Sequence, residues 1–145
     1  MSLAEEFAER YAGLRQAYGT FTANNETRED GKASGKNITI SKELSDTDLL
    51  KLWDGHLSGR QSVGIVPIDE HNTCVWGAID VDEYQLDLKD LAIKIAKQKL
   101  PLVLCRSKSG GAHIYMFLTE PVAANILQRK LRQVAAAIGY GQVEI

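Results

Sequence analysis

The chain has 145 residues, a hydrophobic fraction of 44%, a charged fraction of 25% and a formal net charge of -2. That length suits one domain with a real core, and the fractions are ordinary for a globular protein. Near-neutral charge excludes a protein that coats nucleic acid through a global basic field, but leaves room for an enzyme with a local basic patch. Cys74 and Cys105 both sit in apolar runs. They are too few for a disulfide framework, so a cytoplasmic setting is expected. No run reaches about 18 apolar residues, so no membrane partner is expected. The opening MSLAEEF lacks the features of a signal peptide.

Apolar Leu3, Phe7, Tyr11, Leu14 and Tyr18 recur at helical spacing. They predict an amphipathic helix over residues 3–18. Residues 22–37, TANNETREDGKASGKN, hold almost no large apolar side chain and read as a long surface loop. A short strand is expected at 38–40. SDTDLLKLWDGHLSG offers Ser45 or Asp46 as a helix N-cap, with Gly55 and Gly59 closing the helix. SVGIVPI and TCVWGAIDVD flank a polar DEHN turn and predict a hairpin.

The second half is more regular. A strand over 75–82 leads to a helix over 88–99, with Asp87 as cap and Leu88, Leu91, Ala92 and Ile95 as its apolar face. Pro101 breaks that helix and opens the strand LVLC. The polar loop RSKSGG turns into the strand HIYMFL. A helix over 122–138 follows, with Ile126, Leu127, Leu131, Val134 and Ile138 as its stripe and Gly139 as its stop. GQVEI begins a last strand. The fold class expected is α+β: an N-terminal α/β unit over 1–70, then a ferredoxin-like β-α-β-β-α-β unit over 71–145.

In such a unit the end of the first strand, the start of the third and the start of the fourth share one edge. Asp80 and Asp82, His113 and Glu144 occupy those places. Residues two apart in a strand share a face, so Asp80 and Asp82 point one way, while Val75, Gly77, Ile79 and Val81 point to the helices. Two carboxylates on one face repel unless a cation sits between them, and Mg²⁺ or Mn²⁺ prefers carboxylate oxygen. The loop suits phosphate. Gly110 and Gly111 allow close backbone approach, Ser107 and Ser109 offer hydroxyls, Arg106 and Lys108 offer charge, and His113 can donate to a phosphate oxygen.

The hydrophobic D-x-D strand, the S-G-G-x-H hairpin and the final hydrophobic-acid strand resemble the archaeo-eukaryotic primase superfamily. SKSGGAHIYMF, and His56-Leu57-Ser58-Gly59 before GIVPI, resemble more closely the primase domains of the TOTE conflict systems. The likeness covers roughly residues 54–145. It implies an RNA-recognition-motif-like catalytic core and template-directed nucleotidyl transfer of DNA primase or polymerase type. It implies two Mg²⁺ or Mn²⁺ ions on Asp80, Asp82 and Glu144, and nucleotide phosphates on Ser109 and His113. The implied partners are nucleoside triphosphates and a DNA or RNA template-primer, with helicase or nuclease domains in the full-length protein. The family's third-motif strand continues, whereas this chain stops one residue past Glu144. The expectation is therefore a piece of a longer protein, weak or inactive in transfer by itself.

Two other functions fit the same residues. A single-stranded nucleic-acid-binding or catalytically degenerate domain would stack bases on Tyr115 and Phe117. A metal-dependent hydrolase of nucleotides or nucleic acid would use the same carboxylates on water. His56, His71, Cys74 and Cys105 have no spacing that suits zinc.

Overall fold

The computed structural model describes every residue except 28, 30–32, 84, 108 and 109. Among the described residues it is an α+β chain with four helices and two antiparallel sheets. The elements are α1 (Leu3–Arg10), β1 (Ala17–Thr27), β2 (Ala33–Ser41), α2 (Asp46–Leu57), β3 (Thr73–Val81), α3 (Leu88–Lys97), β4 (Leu102–Arg106), β5 (Ala112–Ala123) and α4 (Ala124–Ala137). They form two compact units, Met1–Asn72 and Thr73–Ile145.

In the first unit, α1 opens with a capping box between Ser2 and Glu5. It ends at Arg10, well short of residue 18. Gly13 explains the early end: a side chain there would meet the Val66 carbonyl at 2.1 Å. The Leu14 N–H donates to that same carbonyl at 2.9 Å, so the chain leaves the helix to pair with a distant segment. Tyr11 and Tyr18 pack with Phe7 against Ala4, Leu44, Leu49 and Trp53 without sharing a helix.

Residues expected as a loop form most of a β-ribbon. β1 and β2 pair antiparallel from Ala17↔Ser41 through Ala23↔Gly35. Its polar residues carry no alternation because much of the ribbon is exposed, and alternation reports one-sided burial. Helix α2 starts at the expected Ser45 cap, whose hydroxyl accepts from the Asp48 N–H at 3.1 Å. Gly55 lies inside this helix, and only Gly59, with φ of 73°, follows its end. The hairpin expected between residues 62–68 and 73–82 is absent among the described residues. Gly64 pairs instead with Gly19 of β1, each N–H donating to the other's carbonyl at 2.7 and 2.8 Å. Two residues without side chains let these backbones meet. The DEHN segment does turn: Asp69 accepts from the His71 and Asn72 N–H groups, and Asn72 takes φ of 57°.

In the second unit the strand order is β3-β5-β4, both pairs antiparallel. Ile79 and Val81 of β3, Ile114 and Met116 of β5, Leu91 and Ile95 of α3, and Leu127, Leu131 and Val134 of α4 make one core. Gly77 lets α4 lie close, because a side chain there would meet Leu131 at 2.7 Å. A bulge between Cys74 and Trp76 shifts the phase of β3, so Cys74 rather than Val75 enters the core. Ala92 and Ile126, expected on apolar faces, are exposed. Helix α3 carries the expected Asp87 cap, whose carboxylate accepts from the Lys89 and Asp90 N–H groups. The C-terminal segment makes an antiparallel bridge, Asp80↔Glu144, on the edge of β3 away from β5. Val143 and Ile145 pack on the core to either side of it.

Candidate functional site on the open face of the second sheet

The core takes alternate residues of β3 and β5, which leaves the others on the face turned away from α3 and α4, where Asp80 and His113 are partly exposed and Trp76 is buried. Register puts Asp80 opposite His113, Ala78 opposite Tyr115, and Trp76 opposite Phe117. On the far side of β5, Cys105 lies opposite His113 and Val103 opposite Tyr115. Paired residues share a face, with Cβ atoms about 4.5–5.5 Å apart. Glu144 is paired to Asp80 in the same way, and the Asp80 N–H donates to its carbonyl at 3.0 Å. Glu144, Asp80, His113 and Cys105 thus form one row across the sheet.

The polar contacts within this row are direct. Nε2 of His113 lies 3.4 Å from Oδ1 of Asp80, with both side chains accessible at 39% and 47%. Nδ1 of His113 lies 3.3 Å from the Tyr115 hydroxyl. Tyr115 is stacked on Phe117 at 6.0 Å between ring centroids. The link from Tyr115 to His113 was not foreseen from the sequence. Its only signal there is the two-residue spacing that puts both on one face of a strand.

The loop into β5 is built by glycines in distinct ways. Gly110 has φ of 91°, a conformation side chains disfavour. Its N–H donates to the Ser107 carbonyl at 3.1 Å, and the Ser107 N–H donates to the Gly111 carbonyl at 3.0 Å. The Gly110 amide is therefore engaged inside the turn. Gly111 is a close-approach site: a Cβ there would sit 2.1 Å from the Val81 carbonyl oxygen and 3.4 Å from Cα of Asp82. The turn is thereby pressed against the strand end that carries Asp82. Ser107 is buried, and Lys108 and Ser109 lie outside the described residues. Arg106, opposite Ala112, is in phase with the core-facing Leu104, so its side chain leaves β4 on the other face from His113.

Near the same edge, burial and the adjacent Glu83 carboxylate push the Tyr140 hydroxyl's pKa up. Tyr140 precedes Glu144 and Glu83 follows Asp82, so this contact joins the two segments that carry acids.

The donor chemistry of Asp80, Asp82 and Glu144 suits a hard divalent cation. The backbone brings Asp80 and Glu144 side by side, with Asp82 two residues on. In the side-chain positions seen, however, no three His, Cys, Asp or Glu side chains converge as ligands among the described residues. The Asp80 carboxylate faces His113 instead.

Among the described residues, no helix is long and apolar enough to cross a membrane. No curated protein matches the chain. The family model described as TOTE conflict system, Archaeo-Eukaryotic Primase domain, matches residues 4–139, which runs through both units and ends before Glu144. With nearly its whole length matched, the chain belongs to the archaeo-eukaryotic primase domains of the TOTE conflict systems.

Proposed function

We propose that the protein is a metal-dependent nucleotidyltransferase of primase or polymerase type, joining a nucleoside triphosphate to a template-paired 3′-hydroxyl. Family membership supports the reaction class. The observation that carries the site is the row formed by Glu144, Asp80 and His113 on one open sheet face. The bridge on the edge of β3 away from β5 supports an RNA-recognition-motif-like topology for this unit, with the last segment as its fourth strand.

Asp80, Asp82 and Glu144 would hold two Mg²⁺ or Mn²⁺ ions. When bound, such ions supply activation of the attacking hydroxyl and neutralisation of charge on the leaving pyrophosphate. His113 would present an N–H to a phosphate oxygen beside them, and the turn Ser107–Gly111 would hold that phosphate against the end of β3. Ser109 and Lys108 join this set through the motif. Arg106 would have to wrap around the end of β4 to reach it. The chemistry needs no protein nucleophile, only positioning and charge. The partners are then nucleoside triphosphates and a DNA or RNA template-primer.

The test is template-primer extension with Mn²⁺ or Mg²⁺, together with Mn²⁺ calorimetry. Asp80→Ala/Asp82→Ala should lose extension by about 10³-fold or more and lose Mn²⁺ binding. Undiminished Mn²⁺ binding in that variant overturns the metal site. A second reading is favoured by the Tyr115–Phe117 stack on the open face, which offers a surface for bases. Under it, the same variant would keep or strengthen binding to single-stranded nucleic acid while no variant extended a primer.

A further inference from the structure

We infer that Tyr115 is a positioning residue for His113: its hydroxyl fixes which ring nitrogen faces Asp80. The inference deepens the phosphate-binding reading of His113 and rests on that reading for its functional consequence, though not for its geometry.

The argument begins with the imidazole. A histidine ring has two near-equivalent orientations, related by a half-turn about χ2, which exchange nitrogen and carbon positions. Either hydrogen-bonding partner alone could leave the ring free to adopt both. Here the two nitrogens have different partners on different strands. Nδ1 lies 3.3 Å from the Tyr115 hydroxyl on β5, and Nε2 lies 3.4 Å from Oδ1 of Asp80 on β3. A carboxylate can only accept, so its place beside Nε2 favours the tautomer with the proton on that nitrogen. In the neutral ring Nδ1 is then an acceptor, and the Tyr115 O–H donates to it. Because a tyrosine hydroxyl can also accept, the same contact serves the charged ring. In both states an N–H is presented at Nε2, on the face and in the row that hold Asp80 and Glu144. A phosphate oxygen needs a donor at that place.

Tyr115 is itself held. Its ring stacks on Phe117 at 6.0 Å and 23°, lies 6.2 Å from the buried Trp76 ring, and meets the His113 ring edge-on at 6.0 Å and 75°. Strand period two places His113, Tyr115 and Phe117 in one file, so rigidity passes from the aromatic end to the imidazole. A phenylalanine at 115 would keep the file and remove only the hydroxyl.

The experiment is a long-range ¹H–¹⁵N correlation of the histidine rings at neutral pH in the whole chain, with His113→Gln assigning the signals. In Tyr115→Phe, the His113 Nδ1 resonance should move toward that of an unbonded nitrogen, with the thermal midpoint close to wild type. Unchanged His113 ring resonances in Tyr115→Phe overturn the inference. Should that variant fail to fold, Phe117→Leu reads one link further along the file. It should shift the same resonances part of the way, and no shift there also overturns the inference. Calorimetry with a nucleoside triphosphate and with the bare nucleoside then separates the two readings. Tyr115→Phe should weaken the triphosphate about 3- to 10-fold and leave the nucleoside unchanged, the range expected for one hydrogen bond. If the resonances move while His113→Gln binds the triphosphate as wild type does, the positioning role stands and the phosphate role of His113 fails.

Discussion

The two antiparallel sheets of this chain solve different problems. The β1–β2 ribbon is long and polar, and it has only the Gly19↔Gly64 bridge as a further strand contact among the described residues. The β3-β5-β4 sheet buries one face under α3 and α4 and keeps the other for polar residues. A one-residue slip in the second sheet would bring Asp80 and His113 into the core and Ile79 and Ile114 out of it, so burial pins its register. The ribbon has no such penalty along its exposed stretch. A site made of side chains from three segments needs the first kind of sheet, because only a pinned register keeps the pairs Glu144–Asp80–His113 opposite one another.

The sharpest test of that contrast uses the glycines. Gly111→Ala forces a Cβ to 2.1 Å from the Val81 carbonyl and should cost about 3 kcal/mol or more, since backbone cannot yield as a side chain does. Gly19→Ala puts its Cβ 3.7 Å from Gly64, an ordinary contact, and should cost under about 1 kcal/mol. Urea-unfolding midpoints of the two variants decide it. Equal losses would mean that the ribbon bridge is as tightly specified as the loop against β3.

A second comparison uses apolar side chains. Leu131, 2% exposed in the core under β3, should lose about 2–5 kcal/mol on Leu131→Ala. Ile38, 40% exposed on the ribbon, should lose under about 1 kcal/mol on Ile38→Ala. A comparable loss at Ile38 would show that the ribbon's face is packed in solution and break the contrast.

The smallest effect concerns the edge of the second sheet. The folded state holds the Tyr140 pKa above its ordinary value of 10.0 through burial and the Glu83 carboxylate. Its neutral form is therefore the one favoured by folding. That contribution is complete below about 10 and is lost as pH rises through the higher folded-state value. The stability difference between wild type and Tyr140→Phe, followed by urea midpoint from neutral pH upward, should stay level and then fall beyond that point. A difference that stays level throughout would mean that neither burial nor Glu83 raises the Tyr140 pKa.

Much of the second unit was legible because its signals are local or periodic. Asp87 caps α3, Pro101 precedes β4, Gly139 follows α4, and the alternation of Ile79, Asp80 and Val81 reports a sheet covered on one side. The D-x-D strand and the SGG-x-H turn also gave the family. In the first unit the legible parts were α2 with its Ser45 cap, the start of α1 at Leu3, the strand at 38–40 within β2 and the turn at 69–72. Helical spacing from Leu3 to Tyr18 misled because the same apolar residues serve a short helix and then a strand, and Gly13 needs Val66 to explain it. The polar ribbon was hidden because exposure erases the period-two signal.

Sequence alone determined which residue types could meet: two acids at a strand end, a glycine turn, a histidine at the next strand's start. Tertiary structure decided their partners. Pairing put Glu144 on the edge of β3 beside Asp80, and set His113 directly across from Asp80 on the other side. It also turned Arg106 to the opposite side of β4 from His113. The physical reason is that strand register is a long-range choice, made by which side chains the helices can bury. No local pattern in a chain of 145 residues states the outcome of that choice in advance.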